Sequence, residues 1–252
     1  TGIHLGCYGE DLDPRTNLLD LLRGIEERGG TGRLRLSSIE PAEVTGGLVS
    51  FWKASSLLCH HVHIPLQSGS DAVLGRMGRP YDRAFFRNLV ESLVDAVPDM
   101  AVGVDVMAGF PGETEEDFRD TAALLRELPI AYFHVFPYSK RPGTAASSFA
   151  GHIREEVKKA RAAELRTLSV EKRTAFAVKF IGKPLSVLVE GKKDGETGGF
   201  RGFSGNYIPC LIRGRGDVPV GRAVTVIPEE LRGGVLVGQA AAPARRAHRK
   251  TP

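Results

Sequence analysis

A parallel α/β barrel followed by a small antiparallel β-barrel is the architecture this 252-residue sequence predicts, and three observations predict it. Five apolar strand candidates each empty into a polar, glycine-bearing loop, and helices with apolar residues at helical spacing alternate with them, as in successive βα units. One of those strands, Met100 to Ala108, is an almost unbroken apolar run, which suits a strand covered on both faces of a parallel sheet. Past Leu185 the period changes to short β-type runs separated by Gly, Asp and Pro, the pattern of a small barrel in the style of an OB-fold. Polar clusters after every strand favour a barrel with its site at the strand C-terminal ends. The competitor, an open doubly wound sheet, gathers ligand contacts at one switch point.

Taken in order, Thr1 to Leu5 reads as the end of a strand emptying into Gly6-Cys7-Tyr8-Gly9, with the front half of that strand expected before Thr1. Asn17 to Glu27 places Leu18, Leu19, Leu21, Leu22 and Ile25 at helical spacing, and Gly29-Gly30 ends the helix. Arg33 to Ser38 alternates like a strand and runs into the polar cluster Ser37-Ser38-Ile39-Glu40-Pro41. Leu57 to Leu66 is the next strand, opening into Gln67-Ser68-Gly69-Ser70-Asp71. Tyr81 to Val97 carries Phe85, Leu89, Leu93 and Val97 on one helical stripe and leads into the Met100 strand. There Asp105 is the exception. A carboxylate is costly on a buried strand unless it is paired or faces a polar cavity, which makes it the candidate catalytic residue.

Gly109, Pro111 and Gly112 let the backbone turn closely around a ligand, and Thr114 with Asp117 reads as the capping pair of a helix from Glu115 to Leu128. Ile130 to Tyr138 is the last strand of the series, with Ser139 to Thr144 as its exit loop. His152 to Phe180 is a charged helical connector. Leu185 to Glu190, Gly202 to Cys210, Ala223 to Ile227 and Val235 to Gln239 are the strands of the small module. Ala240 to Pro252, with Arg245, Arg246, Arg249 and Lys250, reads as a disordered basic tail. The expected boundaries are 1–150 for a partial barrel, 151–182 for the connecting helix, 183–239 for the small barrel and 240–252 for the tail.

Composition bounds the function. No run approaches the ~18 apolar residues of a membrane span, and the first residues lack the basic and apolar regions of a signal peptide. Three cysteines, Cys7, Cys59 and Cys210, are widely separated and odd in number, which argues against a disulfide framework and for a reducing, cytoplasmic compartment. Residues 1–173 hold 21 Lys/Arg against 24 Asp/Glu, and 174–252 hold 13 against 6, a balance of −3 and then +7. Any polyanion-binding surface is therefore expected in the C-terminal module.

The ordered segments TGIHLGCYG, RLRLSSIEP, HIPLQSGSD, VDVMAGFPGETEEDF and FHVFPYSKRPGT, followed by GFSGNYIPC, resemble the methylthiotransferase family of radical S-adenosylmethionine (radical SAM) enzymes. Within it they most resemble the subgroup that modifies threonylcarbamoyl-adenosine in tRNA, over residues 1 to about 239. The resemblance implies an incomplete radical-SAM (β/α)6 barrel followed by an RNA-binding TRAM module. It implies S-adenosylmethionine and [4Fe–4S] clusters as cofactors, with tRNA and an electron donor as partners. It puts Thr1 and Gly2 near the cofactor's amino group, Ser38 and Glu40 at the next strand end, Gln67 and Ser68 near the ribose, and Gly109, Gly112 and Glu113 beside the adenine. Tyr138 and Ser139 fall at the last strand edge, and Arg141 is the cation for the cofactor's carboxylate.

One departure from the family stands out. Radical chemistry of this type uses three closely spaced cysteines to hold a [4Fe–4S] cluster, and no C-x-x-x-C-x-x-C occurs here. No metal ligand set is expected in this chain. The cluster loop, the first barrel strand and a preceding domain are expected upstream of Thr1, and the chain alone is expected to be inactive. Cys59, His60, His61 and His63 look metal-like in composition, but alternation splits them between two strand faces. In the small module, Arg201, Phe203, Asn206 and Tyr207 interleave charge and aromatics as RNA stacking requires, and Arg213 and Arg215 extend the basic surface. A hairpin whose aromatics fill the small core is the competing structural account. The other functional possibilities are a non-catalytic RNA-binding protein with a scaffold barrel, or a related methylthiotransferase acting on another tRNA adenosine or on a ribosomal protein.

Overall fold

Five helix starts in the first part of the chain fall on side chains that can hold an orphan amide. Asn17, Thr45, Ser70, Asp82 and Thr114 accept from the amides of Asp20, Leu48, Val73, Phe85 and Asp117. They open α1 (Leu18–Glu27), α2 (Gly46–Ala54), α3 (Asp71–Arg76), α4 (Arg83–Ala96) and α5 (Glu115–Glu127). At α5 the Thr114–Asp117 pair forms a complete capping box, as its spacing predicts. The computed structural model describes residues 4–29, 32–213 and 218–241. The chain divides into two compact units, Thr1–Phe176 and Ala177–Pro252.

In the first unit β1 (His61–Gln67), β2 (Ala101–Ala108) and β3 (Tyr132–Pro137) form a parallel sheet in that order, joined by α3, α4 and α5. Alternation gives the sheet two unlike faces. Val62, Ile64, Leu66, Val102, Val104, Val106 and Phe133 join one apolar core with Trp52, Phe86, Leu93 and Leu124. The helix Glu155–Val178, α6, belongs to the same core through Ala162, Leu165 and Leu168. It therefore packs on the sheet as well as leading onward, and the division of the chain falls at Phe176/Ala177, within the 151–182 segment expected as the connecting helix. Ser169 Oγ takes the Phe133 amide at 3.0 Å and donates to its carbonyl at 2.6 Å. Lys172 Nζ donates to the Arg126 and Leu128 carbonyls at the end of α5.

Two expected strands are absent among the described residues. Leu5–Cys7 is a 3-10 turn, and Ile3 and the residues before it lie outside the described residues. Arg33 to Ser38 makes a single bridge, Leu34 to Leu58. The backbone leaves the sheet direction at Ser38, whose φ is +58° as its amide donates to the His63 carbonyl. Leu57 to His60 is likewise not a strand. Ser55 Oγ accepts from the Leu57 and Leu58 amides and Trp52 Nε1 donates to the Cys59 carbonyl, while the Leu57 carbonyl and the Cys59 amide pair with Leu34.

The second unit is a closed five-stranded barrel of β4 (Leu185–Lys193), β5 (Phe200–Ser204), β6 (Pro209–Arg213), β7 (Ala223–Arg232) and β8 (Val235–Ala240), ordered β4-β5-β6-β8-β7. It is not wholly antiparallel, because β6 and β8 pair in parallel. The expected strand Gly202 to Cys210 is a hairpin. Ser204 closes its turn by taking the Ile208 amide on its hydroxyl, and Tyr207 stands at φ +61°. Val187, Val189, Ile212, Val226 and Leu236 fill the barrel. Among the described residues no helix is long and apolar enough to cross a membrane. The basic tail beyond Ala241 lies outside the described residues.

Candidate functional site

Opposite its apolar face, the parallel sheet carries polar rings. Register places His61 beside Ala101, His63 beside Gly103, Gly103 beside Tyr132, Pro65 beside Asp105 and Asp105 beside His134, so these side chains share one face. His63 Nε2 lies 2.9 Å and His134 Nδ1 3.4 Å from Asp105 Oδ1, and the His63 and His134 rings stack at 5.0 Å. The Tyr132 hydroxyl bridges His61 Nε2 at 2.8 Å and His63 Nδ1 at 3.4 Å. Burial would raise the Asp105 carboxyl, but the two imidazoles beside it outweigh burial and hold it below the usual carboxylate range. Burial, with His63 adding, depresses His134.

At the C-terminal ends of these strands lies a hollow of about 370 Å³ lined by His4, Ser38, Glu40, His63, Pro65, Gln67 and Asp105. Two of the lining residues stand in the left-handed region without being glycine, Ser38 at φ +58° and Gln67 at φ +67°, the latter at a bulge that ends the β1–β2 ladder. Such strain persists only where the surroundings impose it, and it gathers at binding sites. Here Tyr81 donates to the Pro65 carbonyl at 2.8 Å, and Arg79 holds Glu40 at 3.2 Å. Asp105 and Gln67, expected at a common site, do share this hollow with Ser38 and Glu40.

The remaining expected cofactor contacts are elsewhere. Thr1 and Gly2 lie outside the described residues. Ser68 is fully buried and its hydroxyl meets Thr121 at 3.2 Å and takes the Ser70 amide, so it builds the loop instead of facing a ligand. Glu113 is likewise buried, paired with Arg161 at 2.6 Å and accepting from the Gly109 amide at 2.7 Å. Gly109, at φ +79°, is required by close packing, since a Cβ there would meet the Lys158 side chain at 2.2 Å. Gly112 receives Arg76 on its carbonyl and donates its amide to Gly151. Tyr138 and Ser139 line a second hollow of about 450 Å³ with Lys140, His152 and Lys158, and Arg141 lines neither hollow. A polar residue in a loop can be read from sequence; the direction it points cannot. His134 and Tyr132 escaped notice because only the strand register brings them to Asp105, although the alternation of YFHVF already put both on one face.

In the second unit Arg201 pairs with Asp194 at 2.5 Å, and Arg213 pairs with Glu229 at 3.5 Å and with Glu230. Asn206 is buried and its side-chain oxygen accepts from the Ser204 hydroxyl at 2.6 Å, which stabilises the turn. Phe203 and Tyr207 stack at 4.8 Å, with Tyr207 exposed. Arg215 lies outside the described residues.

The cysteines do not fit an iron–sulfur cluster. Burial raises all three thiols, Cys210 up to about 12 inside the second unit, with Glu10 and Glu43 adding at Cys7, whereas cluster ligands are thiolates. No group of close ligand atoms among the described residues contains two cysteines.

Residues 4–125, which hold β1, β2 and every lining residue of the hollow, match the family model described as the Radical SAM superfamily. Its first part is thus a radical SAM domain, and over most of its length the chain is similar to tRNA methylthiotransferases. The threonylcarbamoyladenosine tRNA methylthiotransferase MtaB of Bacillus subtilis (strain 168) is 38% identical over 229 residues, 90% of this chain and 50% of that protein. MtaB of Thermotoga maritima is 40% identical over 190 residues, 75% of this chain and 43% of that protein. The tRNA-2-methylthio-N(6)-dimethylallyladenosine synthase of Desulfitobacterium hafniense (strain Y51) is 32% identical over 238 residues, covering 94% and 53%. The chain spans about half the length of the curated relatives it matches.

Proposed function

We propose that this chain is the cofactor-holding and RNA-presenting part of a radical SAM methylthiotransferase that adds a methylthio group to C2 of the threonylcarbamoyl-modified adenosine of tRNA. The observation that carries the reading is the hollow where a hydroxyl and a carboxylate from the Ser38–Glu40 loop, an amide from the end of β1 and a carboxylate from β2 converge. Ser38 and Gln67 offer hydrogen bonds to a ribose, and Glu40 and Asp105 offer negative charge to an ammonium or sulfonium group. When bound beside a reduced cluster, S-adenosylmethionine would supply a carbon radical. The residues of this chain would orient the nucleoside and keep water from it. Cluster cysteines and an electron donor would come from outside this chain. Identities of 38 and 40% to two MtaB proteins, beside 32–38% to dimethylallyladenosine synthases, support threonylcarbamoyl-adenosine as the substrate. The stacked Phe203 and Tyr207 support RNA contact by the second unit.

The cofactor reading is tested by saturation-transfer NMR of S-adenosylmethionine at millimolar concentration over the 252-residue chain. Transfer to the ribose and adenine protons is expected, and Gln67→Ala and Glu40→Ala should each weaken the apparent affinity roughly tenfold, the loss of one or two hydrogen bonds to charged or polar groups. Transfer that is absent, or that both variants leave unchanged, would sink the reading.

A further inference from the structure

We propose that His63, Asp105 and His134 form a binding site for one divalent first-row transition ion, zinc or iron(II) by donor chemistry, on the polar face of the parallel sheet. The three side chains come from three neighbouring strands, and their donor atoms all lie within 4.8 Å of one another. His63 Nε2 and His134 Nδ1 stand 2.9 and 3.4 Å from Asp105 Oδ1. Atoms bound 2.0–2.2 Å from a common ion lie roughly 3.0–3.5 Å apart when adjacent, so two of the three edges already have that length. His134, half exposed, has room to close the third.

What these short contacts lack matters more. Asp105 Oδ1 is shut off from solvent, yet it receives no aligned hydrogen bond even with two ring nitrogens at that range. Buried carboxylate oxygens are normally satisfied, and lone pairs that converge without a proton between them are what a shared cation requires. The Tyr132 hydroxyl, on His63 Nδ1, occupies the outer nitrogen and leaves Nε2 turned inward. Gly103 makes that possible, since a Cβ there would lie 2.5 Å from the Tyr132 ring. Two imidazoles and one carboxylate are the donor set of zinc and non-haem iron(II) centres that keep further positions open. His63 and Asp105 also line the 370 Å³ hollow, which puts a water or a polar group of a bound molecule within reach as the next ligand. The site shares Asp105 with the cofactor reading above but does not depend on it, since Ser38, Glu40 and Gln67 line the hollow beside it.

The test uses the 252-residue chain, stripped with EDTA and titrated anaerobically with Co²⁺, then with Zn²⁺ as competitor. One equivalent of cobalt with visible d–d absorption and no thiolate-to-cobalt charge-transfer band is expected. Asp105→Ala and His134→Ala should each weaken binding roughly tenfold or more. The half-exposed His134 makes that variant the safer one for folding, as unchanged circular dichroism would verify. His4, Cys7 and Glu43 are the other close group of ligand atoms among the described residues, so Cys7→Ser, outside the lining of the hollow, serves as control and should leave the cobalt spectrum unchanged. No stoichiometric binding, a thiolate band, or binding lost in Cys7→Ser and kept in His134→Ala would overturn the proposal.

Discussion

His61 sits fully buried on β1, 2.8 Å from the Tyr132 hydroxyl, and burial pushes its pKa down to about 3, with the charges of Arg35 and His63 adding. In the unfolded chain the same imidazole protonates near its ordinary value of about 6.5. Between those values the unfolded state binds the extra proton, so the contribution of neutral His61 is complete above about 6.5 and is lost as pH falls toward 3. The loss approaches about 1.4 kcal/mol per pH unit at most. Urea unfolding midpoints measured from pH 7 to pH 4 should therefore fall, and His61→Gln should flatten that slope; an equal slope in both proteins would refute a buried neutral imidazole. Asp105 was legible at this scale because a lone acid in an apolar strand is conspicuous. His134 was not, because its importance is a property of the neighbouring strand, and the sequence does not show that the Ser70 amide engages Ser68, the Ser204 hydroxyl Asn206 and Arg161 Glu113.

Elements were legible where local chemistry decides them. The Thr114–Asp117 box and the Leu stripe of α1 needed only neighbours in sequence, and both are present. RLRLSS alternates correctly and still fails as a strand, since it bridges its neighbour at Leu34 and leaves the sheet direction at Ser38. The role of α6 was hidden too: charge along the helix suggested a connector, whereas its small and apolar positions cover the sheet. Ser169 is the sharpest consequence. Its hydroxyl satisfies both the amide and the carbonyl of Phe133, which is itself buried, at the start of β3. Ser169→Ala leaves two buried backbone groups unpaired and should cost about 1–3 kcal/mol of stability. Chemical denaturation of the variant reads this directly. A change below about 0.5 kcal/mol would mean that water replaces the hydroxyl and that α6 is not sealing the strand.

For the whole molecule, the sequence separates charge into a mildly acidic first part and a basic second part, yet pairing reduces what that surplus offers to a polyanion. Arg201 is held by Asp194, whose carboxyl is kept well below the usual range by Arg201 first and then by the Thr197 amide. Arg213 and Arg232 share Glu230. A phosphate must displace these acids before it gains an arginine, so formal charge overstates the number of counterions released on binding. Replacing Asp194 with Asn keeps the side-chain oxygen that receives the Thr197 amide and removes the charge that holds Arg201. Asp194→Asn in the full chain should therefore tighten tRNA binding and steepen the log K against log [salt] line by about 0.7–0.9, the increment for one added phosphate contact. Tyr207→Ala should weaken binding by about 1–3 kcal/mol with the slope unchanged, because stacking releases no counterions. Fluorescence anisotropy across a salt series distinguishes the two effects. If the parent chain shows no binding at low salt, or Asp194→Asn leaves the slope where it was, the second unit does not present RNA through this face.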